Sequence, residues 1–431
     1  MKYTHEFRDP IHTFISVRTD ERKVIDSRPF QRLRHIHQLA LTYLVYPGAT
    51  HKRFEHSLGV MDTASRIYDV VTAPENVFFD SVRNIIPDEQ ARSYWKSVLR
   101  MAALCHDLGH LPFSHAAEKE LLPEGYDHER LTKDIIYSAE MEEIWDVMTP
   151  PLKADHIVKL AVGPKRAEPL ELSTWETVLA EIIIGDALGA DRMDYLLRDS
   201  YHLGVSYGTY DHHRLVNTLR ILPKEYEQSD EPALGLEAGG LESSEGLMLA
   251  RHFMYKQVYL HHIRRVYDIH LKDFLNKWLR GGKFSTSLKI HLNMSDVEVL
   301  AALRKAYKKA SSPQHQLARR IQCREHFRRI YEAAQSDTEG GILIPGKVIA
   351  QAAEEKFGRD QIRYDYIQPK ATAPIFPVLR YDGKIESSLH RSQVLARMPE
   401  IGVDNVYCDK AIYEDAIERR KCNKDTLLKL K

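Results

Sequence analysis

The adjacent pair His106-Asp107 lies between an apolar helical run and Gly109, and an imidazole beside a carboxylate is a natural start for a hydrolytic metal site. Neighbouring helical residues point about 100° apart, so the pair can grip one ion only near a helix end and with ligands from other helices. Two such donors are present. His56 sits in HKRFEHSLGV, on a stretch where Phe54, Leu58, Met61, Ala64, Ile67 and Val71 recur at helical spacing. Asp191 opens DRMDYLLRDS, where Tyr195, Arg198 and Asp199 fall on its face while Met193, Leu196 and Leu197 supply the apolar one. Asp191, Tyr195 and Asp199 are therefore expected to line a cavity. Taken alone, a His beside an Asp is more often a hydrogen-bonded pair than a metal site, and 22 histidines supply such dipeptides by chance. Density shifts the balance: CHDLGHLPFSH carries His106, Asp107, His110 and His115, and His128-Glu129 follows a short loop. Buried imidazoles and carboxylates need partners, so stability alone gives no reason to gather so many.

A single ion held by His56, His106, Asp107 and Asp191 meets two imidazoles and two carboxylates. That mixed set suits one divalent Mn²⁺, Fe²⁺, Zn²⁺ or Mg²⁺ per chain without choosing among them. Such an ion acidifies water and offsets charge developing on phosphorus. His128, paired with Glu129, is the candidate for moving a proton to a leaving oxygen or orienting the attack, because an imidazole titrates near neutral pH.

Read together, His51-Lys52-Arg53-Phe54-Glu55-His56, His106 through His115, His128-Glu129 and Asp191 through Asp199 resemble the motif series of the HD-domain phosphohydrolases. They look most like the deoxynucleoside triphosphate triphosphohydrolase branch, which has a vertebrate member built from a SAM and an HD domain. The resemblance runs from about Val24 to about Asp268, and its motifs are long and in the right order. It implies a mainly α fold, an HD-domain helical bundle, and hydrolysis of dNTPs at the α-phosphorus to deoxynucleoside and tripolyphosphate. Residue by residue, it adds His110 and His115 to the catalytic set beside His128 and Glu129. It makes Arg192 a phosphate-binding cation, with Arg53 just before the ligand helix and Arg251 further along the chain. Gln38, Leu39, Tyr195, Asp199 and Tyr259 would meet the sugar, Asp199 accepting from a 3′-hydroxyl and Leu39 and Tyr259 disfavouring a 2′-hydroxyl. Without the resemblance, Arg53, Arg251 and Tyr259 read as surface ion pairs or aromatic packing. Asp26, Gln31 and Arg34 occupy positions where the vertebrate member binds a guanine activator between subunits; the other reading is that they pack the N-terminal helix. A symmetric homo-oligomer, dimer or tetramer, is implied.

Two further readings are an HD phosphatase or phosphodiesterase acting on another nucleotide or single-stranded nucleic acid, and a nucleotide sensor with a vestigial metal site. Arg192, Tyr195, Asp199, Arg251 and Tyr259, which suit a free triphosphate, stand against the first, and the complete ligand set stands against the second.

The elements that must position these residues are mostly helical. Helical periodicity runs from Arg53 to about Arg220, interrupted near Pro74, Pro123-Gly125, Pro150-Pro151 and Gly163-Pro164. Arg32 to Leu39 reads as a helix, and Ser173 with Glu176 as a capping box. Residues 219–246 look like a hairpin-like excursion, and helices resume at LMLARHFMYKQVYLHHIRRVYDIHL. The basic stretch Leu317 to Ile330 reads as a solvated amphipathic helix. Residues 1–338 are expected to form the phosphohydrolase core and 339–431 a small mixed α/β C-terminal lobe, with Asp382-Gly383 as a hairpin turn.

With 431 residues, of which 43% are hydrophobic and 28% charged, the chain can bury a large core. Its 61 basic and 61 acidic residues cancel, so nothing at whole-chain level suggests a membrane or nucleic-acid partner, and any anion site must be local. Cys105, Cys323, Cys408 and Cys422 are scattered without a framework spacing, as in a reduced cytoplasmic protein, and Cys105 reads as a small apolar residue. Neither a signal peptide nor an apolar span is expected.

Overall fold

The computed structural model describes residues 5–114, 118–224, 227, 231–333, 345–370 and 374–419. The fold is mainly α. It divides into two compact units, Met1–Met254 with Lys283–Glu298 and Ala373–Met398, and Tyr255–Gly282 with Val299–Thr372 and Pro399–Lys431.

The Arg53–Thr72 helix is the spine of the first unit, buried along most of its length. The Lys52 backbone N–H donates to Glu55 Oε1 at 2.8 Å, closing its first turn. Against it pack the helices Glu89–Cys105, Thr174–Ile184 and Ala190–Leu203. Each start carries its own signal. Asp88 accepts from the Ala91 N–H at 2.9 Å, and Ser173 and Glu176 form the expected reciprocal pair at 3.3 and 2.8 Å. Glu89–Cys105 stops one residue before His106, so the His106-Asp107 pair stands at a helix end, as metal binding by adjacent residues requires.

Two stretches fold differently from expectation. Arg32 to Leu39 is not a helix: Pro29 starts a short helix at Arg28–Arg32, a 3₁₀ turn covers Leu33–His35, and Ile36 is already extended. The basic stretch is helical only at His315–Gln322 and continues into the strand Arg328–Glu332, with Phe327 and Ile330 buried.

The expected hairpin is Leu219–Pro223 against Pro232–Glu237, antiparallel, and the next helix starts at Leu241. Asp382-Gly383 does turn between the antiparallel strands Pro377–Leu379 and Ile385–Ser387, with Gly383 at φ 82°. Pro377–Leu379 pairs in parallel with Pro232–Glu237, so both strands belong to the first unit, not to a C-terminal lobe. In the second unit Ile401–Cys408 runs between Arg328–Glu332 and Ile362–Lys370 in an antiparallel sheet, with the Gly346–Phe357 helix against it. The units interleave along the chain because strand pairing joins residues far apart in sequence. The division expected at 338 falls within 334–344, outside the described residues, as does Cys422.

Candidate active site

Three candidate ligands converge from three helix ends and faces. His56 stands on the first turns of Arg53–Thr72, His106 just past Glu89–Cys105, and Asp191 in the first turn of Ala190–Leu203. One donor atom from each lies within 4.8 Å of the others. His106 Nδ1 donates to the Ala103 carbonyl at 2.7 Å, which leaves Nε2 as the ligand atom; that Nε2 is buried with no protein hydrogen-bond partner. His56 Nδ1 donates to Asp194 Oδ2 at 2.8 Å and turns Nε2 towards Asp191 Oδ1, 3.0 Å away. Asp107 completes the set, with Oδ1 3.3 Å from His106 Nε2 and Oδ2 3.7 Å from His56 Nε2. An orphaned imidazole nitrogen between two carboxylates, with a second imidazole beside it, is a donor set that fits a divalent cation.

The electrostatics say the same. Burial works against charge on His56, yet Asp191 and Asp194 override it and hold the imidazole up to about 10. Burial also disfavours the Asp107 carboxylate, but Arg53, His106 and His110 keep it well below the usual range. Positive charge is drawn in from every side to meet the carboxylates, including Arg53, which pairs with Asp107 and donates to Ser114 Oγ at 2.8 Å.

A second cluster adjoins the first through Asp107. His110 Nε2 lies 3.1 Å from Asp107 Oδ1, and its ring stacks on His128 with centroids 4.1 Å apart. His128 Nδ1 donates to Glu118 Oε1 at 2.7 Å, so the carboxylate orienting His128 is Glu118 rather than the adjacent Glu129. Glu129 turns to Arg166, 3.0 Å away on the surface. His106 and His110 do not share a helical face, because the helix ends at Cys105 and a turn carries the chain through Gly109. A side chain at Gly109 would put Cβ 2.0 Å from the His128 carbonyl, so glycine lets the turn meet the His128–Ile136 helix. His115 lies outside the described residues.

The cation and sugar candidates are distributed more widely. Arg192 is nearly buried, reaches Asp186 at 3.2 Å, and has Nε and Nη1 without protein hydrogen-bond partners. Tyr195, one turn on, is half-buried. Asp199 accepts from His51 Nε2 at 2.8 Å and is almost fully buried, so it is less open to a cavity than its helical position suggests. Gln38 is half-buried, with Oε1 unpaired, and Leu39 is buried. Arg251 is on the Leu241–Met254 helix, whereas Tyr259 falls in the second unit, in the π-helical turn Tyr255–Tyr259. Asp26 pairs with Arg22 at 3.1 Å; Gln31 Oε1 accepts from Arg34 Nε at 2.9 Å while the Arg34 guanidinium covers the Phe54 ring.

Sequence reasoning missed the residues behind the ligands. Arg198, grouped with Asp191 on one face, instead pairs with Asp194 at 2.8 Å and Asp9 at 2.7 Å, all fully or almost fully buried. The i,i+4 spacing of Asp194 and Arg198 could have revealed that pair. Nothing periodic links Glu118 to His128 across its loop, or His12 to Asp194 across 182 positions.

Residues 53–184 match the HD domain family, and residues 210–361 match the HD associated region. An uncharacterized protein of Methanocaldococcus jannaschii is 34% identical over 69% of this chain and 54% of its own length. A deoxynucleoside triphosphate triphosphohydrolase, SAMHD1, of Gallus gallus is 30% identical over 63% of this chain and 45% of its own. The chain thus spans about half the length of these curated relatives. A solved structure of a hypothetical protein from Aquifex aeolicus superposes with a TM-score of 0.77 at 31% identity, over 96% of this chain and 99% of that one. With His56, His106, Asp107 and the paired imidazoles on the matched segment, the chain belongs to the HD-domain family.

Proposed function

We propose that the chain hydrolyses deoxynucleoside triphosphates at the α-phosphorus, releasing deoxynucleoside and tripolyphosphate. The observation that carries this reading is the ligand set His56, His106, Asp107 and Asp191 beside an oriented proton carrier, His128, with Arg192 nearly buried and two of its nitrogens uncommitted. A divalent cation on that set would supply Lewis acidity to a phosphate oxygen and to the attacking water. Glu118 holds His128 by Nδ1, leaving Nε2 to deliver a proton to the leaving oxygen; burial opposes the imidazolium, and Glu118 overrides it. Arg192 offers a paired donor edge to phosphate that Lys could not copy. By resemblance we assign Gln38, Leu39, Tyr195 and Asp199 to the sugar and Arg251 to the triphosphate. The relatives' triphosphohydrolase name points the same way. No described helix is long and apolar enough to cross a membrane; we place the protein in the cytoplasm as a dimer or tetramer.

Incubation with a panel of nucleotides, with phosphate, pyrophosphate and tripolyphosphate resolved, tests the reaction. Tripolyphosphate from dNTPs and slow turnover of ribonucleotides are expected. Orthophosphate as the initial product overturns the reading in favour of a phosphatase. Exposed Asp26 and Arg34, with half-buried Gln31, are assigned to a guanine activator between subunits. Stimulation by GTP or dGTP, lost in Arg34→Ala with metal content intact, is the result expected; no response to any added nucleotide leaves these residues a packing role.

A further inference from the structure

His12 lies in the turn of the hairpin His5–Asp9 and Thr13–Val17, outside both segments that match known families, as do Asp9, Asp194 and Arg198. We propose that this turn is a positioning element of the metal site, acting through His12 and Asp194 on the ligand His56. The proposal rests on the metal-site reading above.

Asp194 is completely buried and saturated with donors on both oxygens. Oδ2 takes His56 Nδ1 and Arg198 Nε, each at 2.8 Å. Oδ1 takes His12 Nε2 at 2.8 Å and Arg198 Nη2 at 2.9 Å. Donors on two sides fix the carboxylate plane, which fixes the His56 ring and hence the direction of its Nε2 lone pair. The hairpin turn is built for this task. Asp9 Oδ1 accepts the N–H groups of Ile11 and His12, each at 2.9 Å, while Asp9 Oδ2 accepts from Arg198 Nη1 at 2.7 Å. One aspartate thus shapes the turn that presents His12 and anchors the arginine sharing its target. Room is left opposite: a Cβ on Gly59 would lie 1.9 Å from Asp194 Oδ1 and 2.4 Å from Arg198 Nη2.

A buried ion network could serve stability alone, and Arg198 by itself would neutralise Asp194. Two features point beyond that. The network ends on the non-ligating nitrogen of a ligand imidazole, the arrangement by which outer carboxylates orient metal-binding histidines. His12 also adds a second direction of restraint on Oδ1, whose value lies in aim rather than charge.

The test is Mn²⁺ affinity of the purified full chain, with metal-free thermal unfolding measured alongside. His12→Ala should bind Mn²⁺ about 10–100-fold more weakly. His12→Gln, whose amide nitrogen reaches about as far as Nε2, should recover most of that loss, and both should unfold close to wild type without metal. His106→Ala, which removes a ligand, should lose the ion. Wild-type Mn²⁺ affinity in His12→Ala together with loss in His106→Ala overturns the positioning role and leaves the site standing. Full affinity in His106→Ala overturns the site itself. Should His12→Ala fail to fold, ¹⁵N-histidine spectra of wild type during Zn²⁺ titration decide: His12 resonances that move as the ion binds support the linkage, and indifferent ones overturn it.

Discussion

The two histidine clusters share Asp107 and hold their protons in opposite ways. In the first, burial disfavours the imidazolium, but carboxylates on both sides of His56 hold it up to about 10. In the second, burial, Arg53 and His128 push His110 well below the ordinary histidine value. Both rings are buried, so burial does not separate them. The balance of facing charge does: His56 meets the carboxylates of Asp191, Asp194 and Asp107, whereas His110, with Asp107 at 3.1 Å and Glu118 within 4.8 Å, also faces the positive Arg53 and His128. Excess carboxylate calls for a cation. A stacked imidazole pair with one carboxylate at its far end suits proton movement instead.

That contrast breaks most visibly at the ligands. Asp191→Ala should remove bound metal by elemental analysis and abolish turnover, beyond the roughly 10²–10⁴-fold loss typical of one proton-transfer group. Metal content equal to wild type would disprove the assignment. His128→Ala should instead keep its metal and lose about 10²–10⁴-fold in kcat, so paired metal and rate measurements separate the clusters. A variant that loses both would merge them into one site.

A smaller effect sharpens the second cluster. Glu118 raises the His128 pKa, so the proton is held to higher pH than on an ordinary imidazole and is lost as pH rises through that raised value. Glu118→Gln removes the carboxylate, and the alkaline limb of the kcat profile should move to lower pH. An unmoved limb means that some other group carries the proton. Least affected should be Glu129→Gln: its partner Arg166 is a surface arginine, and such pairs contribute less than about 1 kcal/mol. Rate and melting temperature close to wild type are expected, and a large rate loss would restore Glu129 to the catalytic group.

Much of the site was legible because chemistry concentrates in short segments. His56, His106, Asp107 and Asp191 could be picked out by residue type, helical phase and the need for ligands from separate helices, and the structure brings them together. The partner of His128 was not legible: sequence adjacency favoured Glu129, yet neighbours in a helix diverge, and the loop delivers Glu118 to Nδ1. Asp199 read as cavity-lining from its phase alone, but His51 arrives from another element and buries it.

The same division holds for the fold. Capping residues, prolines and apolar periodicity act within a few residues, so the sequence determined the Ser173–Glu176 start, the Leu219–Glu237 hairpin and the turn at Gly383. Whether a strand pairs with its neighbour or with one far along the chain depends on which edge is open after collapse. Tertiary structure alone therefore sent Pro377–Leu379 to the first unit and joined Arg328–Glu332 to Ile401–Cys408. It also chose which buried charges meet. No spacing links Asp9 and His12 to the Asp194–Arg198 pair, and the four come together because none could be buried without the others.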